Sequence, residues 1–203
     1  MSYTTWLALA SICLLGAMSP GPSLALIVRH SLGGGRRHGV AAALAHGCGV
    51  GLYALATVQG LALVLTAEPW LFRVVTWCGA AYLFWLGVQS LRAPAGSVVL
   101  EGAREARSMW RAAREGLVVA GSNPHLAVFF LALFSQFVHP GMSWLVKSEM
   151  VLTAALLDMG WYALLAFMLS HAAVLGVLRQ RMGWVNRGCG VVMLLLGVRV
   201  LTL

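Results

Sequence analysis

Six stretches of this chain are long and apolar enough to cross a lipid bilayer as helices. A helix needs about 20 mainly apolar residues to span the hydrocarbon core. Only 10% of the residues are charged and the mean hydropathy is +0.84, whereas a soluble domain carries about 25% charged residues. The sequence therefore predicts an all-α integral membrane protein and excludes a soluble domain. The predicted spans run near residues 6–28, 40–66, 70–91, 116–138, 148–175 and 184–202.

The basic residues are distributed unevenly between the two sides of these spans. Of the 14 Lys and Arg residues, 11 fall between spans one and two, three and four, or five and six. Cytoplasmic loops collect Lys and Arg, so this side is predicted to be cytoplasmic, with both termini outside. The net charge of +8 is then a topology signal, and a nucleic acid partner is not expected. The three basic residues on the other side are Arg73, Lys147 and Arg199.

Two of the spans contain a helix breaker near their middle. Span one has Pro20, Gly21 and Pro22, and span four has Asn123 and Pro124. Each break is about 12–14 Å from the cytoplasmic end of its span, close to the midplane of a core about 30 Å thick. Backbone groups freed in this way are tolerated only inside protein or beside a water-filled cavity. Free N–H groups favour a carboxylate and free carbonyls favour an ammonium. The two breaks together therefore predict a site for a zwitterion such as an amino acid. The alternative is a pair of packing kinks satisfied by nearby polar side chains.

The two halves of the chain resemble each other weakly. "SPGPSLALIV" in span one matches "SNPHLAVFF" in span four, and "AALAHGC" in span two matches "AALLDMG" in span five. Three spans followed by three spans would form an inverted repeat, as in many secondary transporters. We therefore expect one transmembrane domain over residues 1–203, with repeats at about 1–92 and 116–203. The basic loop at about 93–115 is predicted to be either an interfacial helix that contacts membrane lipid or a solvated linker.

Two ionisable residues are predicted to lie deep in the membrane. Asp158 is the one carboxylate well inside a predicted span, and such a charge is costly enough to require a partner. We expect it to carry protons or to bind the substrate ammonium, although a structural hydrogen bond is the alternative. His46 could be its partner, a proton donor or a satisfied core histidine, whereas His171 is expected at the interface. The four cysteines stand alone, so neither a metal site nor a cofactor is expected.

At both helix breaks and in span three, the chain resembles the LysE/RhtB family of bacterial amino-acid exporters, which includes homoserine and threonine efflux proteins. The resemblance rests on "SPGPSLALIVRHSLGGGRRHG" (19–39), "WCGAAYLFWLGVQSLR" (77–92) and "SNPHLAVFFLALFSQFV" (122–138). It implies a six-helix secondary exporter of the inner membrane, driven by protons and forming a homodimer, and not an enzyme. The family usually has Lys after Asn-Pro, and this chain has His125. The residues that the resemblance places at the substrate site are Ser19, Pro20, Gly21, Pro22, Ser23, Asn123, Pro124 and His125.

The sequence thus favours proton-coupled export of an amino acid or close analogue, with Asp158 and His46 as coupling residues. Export of a metal cation or another small solute by the same fold is the first alternative, because fold does not fix substrate. A membrane enzyme that uses His46 and Asp158 is the second, although the sequence has no recognisable nucleophile motif.

Overall fold

A computed structural model describes residues 1–19, 21–92, 108–169 and 172–201 of the chain. Within the last range, only the backbone is described for residues 172–175, 177–179, 182 and 199–201. The described residues form eight α-helices and no β-strand. The helices are α1 (Tyr3–Met18), α2 (Pro22–Gly34), α3 (Arg36–Ala67), α4 (Pro69–Arg92), α5 (Met109–Ser122), α6 (Pro124–Phe134), α7 (Trp144–Met168) and α8 (Ala172–Leu201).

Three helices, α3, α4 and α7, are individually long and apolar enough to cross a membrane. The pairs α1–α2 and α5–α6 also qualify if each is taken as one bent span, with bends of 60° and 55°. Among the described residues this gives up to five candidate spans. The sixth predicted span lies within α8, where the described side chains include an apolar helical stretch at Gly183–Val198. The membrane class is supported, while the six-span inverted repeat stays a prediction.

Several boundaries differ from the sequence prediction. The predicted span 148–175 is observed as α7, which ends at Met168, where Leu169 caps it by donating its N–H to the Leu165 carbonyl. The predicted loop 93–115 becomes helical at Met109, because Ser108 caps α5 there. Pro20, the loop arginines Arg104 and Arg107, and His171 lie outside the described residues.

Both predicted helix breaks are confirmed. At the first, α1 ends at Met18 and α2 begins at Pro22, with Gly21 as its N-cap. At the second, α5 ends at Ser122 and α6 begins at Pro124. Proline is favoured at the first position of a helix, where its missing N–H costs nothing. The same residues that end one half-helix therefore start the next.

If each bent pair is taken as one span, successive spans reverse direction, so the arginines of α2, α3, α4 and α5 collect at one end of the bundle. We call this the basic end; it holds Arg29, Arg36, Arg37, Arg92, Arg111 and Arg114. The opposite end, called the far end, holds the starts of α1, α4 and α7 and includes Trp70 and Lys147. The breaks lie between the two ends.

Two apolar clusters flank the level of the breaks. The first core contains Leu9 and Ile12 of α1 together with residues of α3, α4, α6, α7 and α8. The second core contains Leu24 and Ile27 of α2 with residues of α3, α5 and α7. The central helix α3 packs against α5 and α7 at very short range, since a Cβ at Gly47 would lie 2.6 Å from Met159 Cβ. Small residues at such crossings allow backbones to approach closely.

Candidate functional site

Three side chains from three helices form a buried hydrogen-bonded chain beside the break between α1 and α2. His46 Nδ1 lies 2.8 Å from Asp158 Oδ2, and His46 Nε2 lies 2.9 Å from Ser23 Oγ. His46 is 0% exposed, and both of its partners are buried. With Asp158 ionised, Nδ1–H donates to the carboxylate, so Nε2 accepts from the Ser23 hydroxyl. The Tyr162 ring meets the His46 ring edge-on, with 5.3 Å between centroids.

Asn123 joins the second break to this chain. Its Nδ2 donates to Ser23 Oγ at 3.5 Å, and its Oδ1 accepts from the backbone N–H of His125 at 3.0 Å. The second of these bonds caps α6 and satisfies one of the N–H groups at its start. The two broken helices therefore meet, side chain to side chain, at their breaks.

The start of α2 is different from the start of α6. Its N-cap is Gly21, and no side chain of the described residues caps it by a hydrogen bond. The backbone N–H groups of a helix start carry a partial positive charge and attract an anion. Within the part of the chain that the structure describes, the start of α6 has a side-chain acceptor and the start of α2 has none.

A cavity of about 40 Å³ borders the hydrogen-bonded chain. One water requires about 10–15 Å³ of such space, so several waters or a small polar group fit. Its walls include Cys13 and Gly16, which precede the first break, and Phe129 and Phe130, which follow the second. All four lie on the far-end side of the breaks, so the cavity extends from the breaks toward the far end.

On the basic-end side of the breaks, a cluster of charged groups joins α2 to α5. Glu115 Oε2 accepts from Arg29 and lies 2.9 Å from His30 Nε2. Glu115 Oε1 accepts from Arg111 Nε at 3.0 Å, within the same helix. One carboxylate thus bonds both half-helices that run from the breaks to the basic end.

The structure brings most of the predicted site residues together. Pro124 begins α6 but is not part of the cavity wall, and His46 lies behind the wall in contact with Ser23 and Asp158. Pro20 lies outside the described residues. The predicted residues that line the cavity are Ser19, Gly21, Pro22, Ser23, Asn123, His125 and Asp158.

Sequence reasoning gave Glu115 no role, and it left Tyr162 as one of several side chains that could line the pathway. Tyr162 follows Asp158 by four residues, so the two share a helix face, and this spacing was the available signal. Glu115 also follows Arg111 by four residues, which predicts the pair within α5 but not the contacts with α2. Among the described residues, no three His, Cys, Asp or Glu side chains converge in a way that could hold a metal ion.

Comparison with known proteins identifies the family of the chain. A sequence model described as the LysE type translocator matches residues 14–203. The chain belongs to the LysE-type translocator family. The family resemblance seen in the three sequence motifs is therefore confirmed.

Relatives in this family carry names that describe efflux. The chain is 32% identical over 140 residues to a homoserine/homoserine lactone efflux protein of Salmonella typhimurium, covering 69% of this chain and 68% of that protein. It is 27% identical over 164 residues to a threonine efflux protein of Salmonella typhi, covering 77% and 78% of the two chains. A threonine efflux protein of Escherichia coli K12 is 26% identical over 170 residues, covering 79% and 80%. No solved structure matches the chain.

Proposed function

We propose that this protein exports an amino acid or close analogue from the cytoplasm in exchange for protons. The observation that carries the proposal is the buried chain of Ser23, His46 and Asp158, which borders a cavity where two broken helices meet. The names of the relatives, homoserine/homoserine lactone efflux and threonine efflux, support an amino-acid substrate. A buried carboxylate–imidazole pair can hold or release a proton, which supports proton coupling.

The substrate zwitterion is oriented by two unlike walls of the cavity. The uncapped start of α2 at Gly21 attracts the carboxylate through its backbone N–H groups. Asp158, on the other side, attracts the ammonium, and its Oδ2 is already bound to His46. The substrate thus lies across the breaks, with its charged groups on opposite helices.

Competition between the ammonium and a proton couples the two fluxes. When the Asp158–His46 pair is deprotonated, its negative charge attracts the ammonium. A proton on the pair removes that charge, and a doubly protonated His46 donates to Ser23 Oγ instead of accepting from it. The protonated pair therefore releases the substrate, and exchange of one for the other is antiport.

The direction of export follows from the basic end, which we place in the cytoplasm of a bacterium, with the bilayer as its inner membrane. The described conformation has its cavity toward the far end and its Glu115 cluster closing the basic end. It then corresponds to a state that is closed to the cytoplasm. Contact with membrane lipid and assembly as a homodimer stay predictions of the sequence.

The test is amino-acid counterflow in proteoliposomes at several pH values, with Asp158→Asn as the variant. The amide retains an acceptor for His46 but loses the negative charge. The bond to the substrate ammonium therefore changes from one between two charged groups, worth about 1.5–3 kcal/mol, to one with a neutral acceptor, worth about 1 kcal/mol. We expect the substrate Kd to rise about 2- to 30-fold and the pH dependence of exchange to disappear. Glu68→Gln, an equal change at an exposed carboxylate that bonds Trp70, is the matched control. An Asp158→Asn protein with the wild-type pH profile would refute proton coupling at this residue.

A hydrolase is a second candidate, favoured by one specific observation. The order Ser23–His46–Asp158 is that of a serine hydrolase triad, with the serine at the start of a helix whose N–H groups could stabilise an oxyanion. The distinguishing measurement is turnover of an amino-acid ester or lactone by the detergent-solubilised protein, where no compartment exists. Turnover that Ser23→Ala abolishes would favour the enzyme; no turnover together with counterflow in vesicles favours the exporter. A thermal-shift comparison of amino acids with divalent cations separates amino-acid export from cation export.

A further inference from the structure

Asn186 of α8 is a fully buried polar side chain with no partner for either of its polar atoms. It is 0% exposed, and neither Nδ2 nor Oδ1 has a hydrogen-bond partner within the described part of the chain. Leaving such groups unpaired is destabilising, and an apolar side chain of the same size would be favoured. By contrast, the buried residues of α8 that follow Asn186 are hydrophobic: Cys189, Met193 and Leu196. Asn186 therefore lowers the stability of the described conformation.

The position of Asn186 is fixed by its neighbours along α8. Val185 packs against the second core, whereas Met193 and Leu196 belong to the first. Cys189 Sγ donates to the carbonyl oxygen of Leu15 in α1 at 3.2 Å. Asn186 thus lies where α8 passes from one core to the other, at the level of the breaks.

The contacts between α8 and α1 define which part of α1 lies at that level. Later residues of α8 group with earlier residues of α1, so the two helices are antiparallel. Asn186 precedes Cys189 by one helical turn and shares its face. One turn beyond Leu15 in α1 is Met18, the last residue before the break. Asn186 is therefore level with the end of α1.

The end of α1 has a carbonyl that lacks its helical donor. In a continuous helix the Met18 carbonyl would accept from the N–H of residue 22, but residue 22 is proline and has none. The Ser19 N–H is already directed to Gly16 and Leu15. A carboxamide supplies a donor of the kind that this carbonyl requires.

We propose that Asn186 is a positioning residue of the transport cycle. In the conformation that opens toward the basic end, the α1–α2 break shifts and the Asn186 amide donates to the carbonyls at the end of α1, Met18 first. The unpaired amide raises the free energy of the described state, and its hydrogen bond lowers that of the other. The inference rests on the proposed transport function and adds a residue that acts through the backbone of the break, without contact to substrate.

The experiment compares Asn186→Leu with Asn186→Ser, which retains a hydroxyl donor, and with Met193→Leu as a packing control on the same helix. We expect Asn186→Leu to raise the Tm in detergent, leave the substrate Kd unchanged and slow proton-driven efflux about tenfold, equivalent to about 1.4 kcal/mol. Asn186→Ser should recover part of the efflux rate, and Met193→Leu should leave the rate and the Kd unchanged. A stabilised Asn186→Leu protein that transports at the wild-type rate would overturn the proposal. A lower Tm in Asn186→Leu would also overturn it, because the amide would then be stabilising the described state.

A second readout does not depend on the identity of the substrate. Cys13 lines the cavity, so a membrane-impermeant thiol reagent applied from either side of oriented vesicles reports which end is open. The exposed Cys48 and Cys78 are replaced by serine in all proteins. We expect Asn186→Leu to lower the rate of Cys13 labelling from the basic end about tenfold relative to the parent. If Asn186→Leu and the parent are labelled at the same rate, the proposed role of Asn186 is refuted, whether or not the protein transports an amino acid. If labelling changes but no amino acid is transported, only the proposed substrate is refuted.

Discussion

Replacing Glu115 by glutamine is expected to open the basic end of the protein. Glu115 lies on α5 and bonds two residues of α2, Arg29 and His30. These bonds join the two half-helices on the side of the breaks opposite the cavity, so they must separate before a substrate can enter from the basic end. The amide cannot form an ion pair with Arg29 and is a weaker acceptor for His30, so the closed state should lose stability relative to the open one.

The size of the shift follows from the exposure of the cluster. The Glu115 side chain is 28% exposed, and partly solvated ion pairs contribute about 0.2–1 kcal/mol each. The Arg29 ion pair and the His30 hydrogen bond across the helix junction therefore contribute about 1–2 kcal/mol together, since His30 is buried and a net hydrogen bond contributes about 0.5–1.5 kcal/mol. This corresponds to a change of about 5- to 30-fold in the ratio of closed to open protein. The amide still accepts a hydrogen bond, which places the expected shift nearer fivefold.

The assay is the rate of Cys13 labelling by an impermeant thiol reagent, measured from each side of oriented vesicles in the background without Cys48 and Cys78. Glu115→Gln should raise the rate from the basic end about fivefold and lower it from the far end. The matched control is Arg111→Gln, because Arg111 bonds Glu115 from within α5 and does not join the helices. Equal labelling of Glu115→Gln and the parent from both sides would refute the assignment of this cluster as the closure.

Two further predictions concern glycines at helix crossings. A Cβ at Gly116 would overlap the carbonyl oxygen of Ala42, so Gly116→Ala should destabilise the protein by about 1–3 kcal/mol in thermal unfolding. Gly121→Ala, with no atom near its Cβ, should not; equal Tm values for the two variants would contradict the α3–α5 packing. A Cβ at Gly16 would lie 2.6 Å from Phe129 Cζ, so Gly16→Val should separate α1 from α6 beside the cavity and slow counterflow at least about tenfold, at a cost of about 1–3 kcal/mol in stability. Gly121→Val is its control, and wild-type exchange by Gly16→Val would show that this contact is not needed.

Local sequence chemistry was sufficient to predict the breaks. Pro22 and Pro124 lack the N–H that a continuous helix requires at their positions, and both are well placed to start a new helix. The basic residues identified one end of the bundle in the same way. Successive spans reverse direction, so every second connection between spans lies at the same end, and most of the basic residues lie near these connections. These features depend on residues adjacent in the chain, so a single sequence carries them.

The contacts of the site could not be predicted in the same way. The sequence left open whether His46 pairs with Asp158, because that contact depends on how α3 and α7 are rotated against each other. Close packing of Gly47 against Met159 holds α3 and α7 in the orientation in which His46 bonds Asp158 on one side and Ser23 on the other. The roles of Tyr162 and Glu115 depend on the same tertiary geometry. Alpha-helical periodicity places residues on a face, but the neighbouring helix decides what that face meets.

The two breaks share a proline at the start of the second half-helix, but the residue before that proline differs, and this difference makes the two walls of the cavity unlike. Each break has a helix start, and the N–H groups of a helix start attract an anion. Asn123 bonds the N–H of His125 and so occupies the start of α6 with a side chain of the protein itself. Gly21 has no side chain that could do the same for α2. In the proposed function, the start of α2 is therefore the one anion site and faces the one carboxylate, Asp158, across the cavity, and this arrangement of one positive and one negative wall suits a zwitterion in a single orientation.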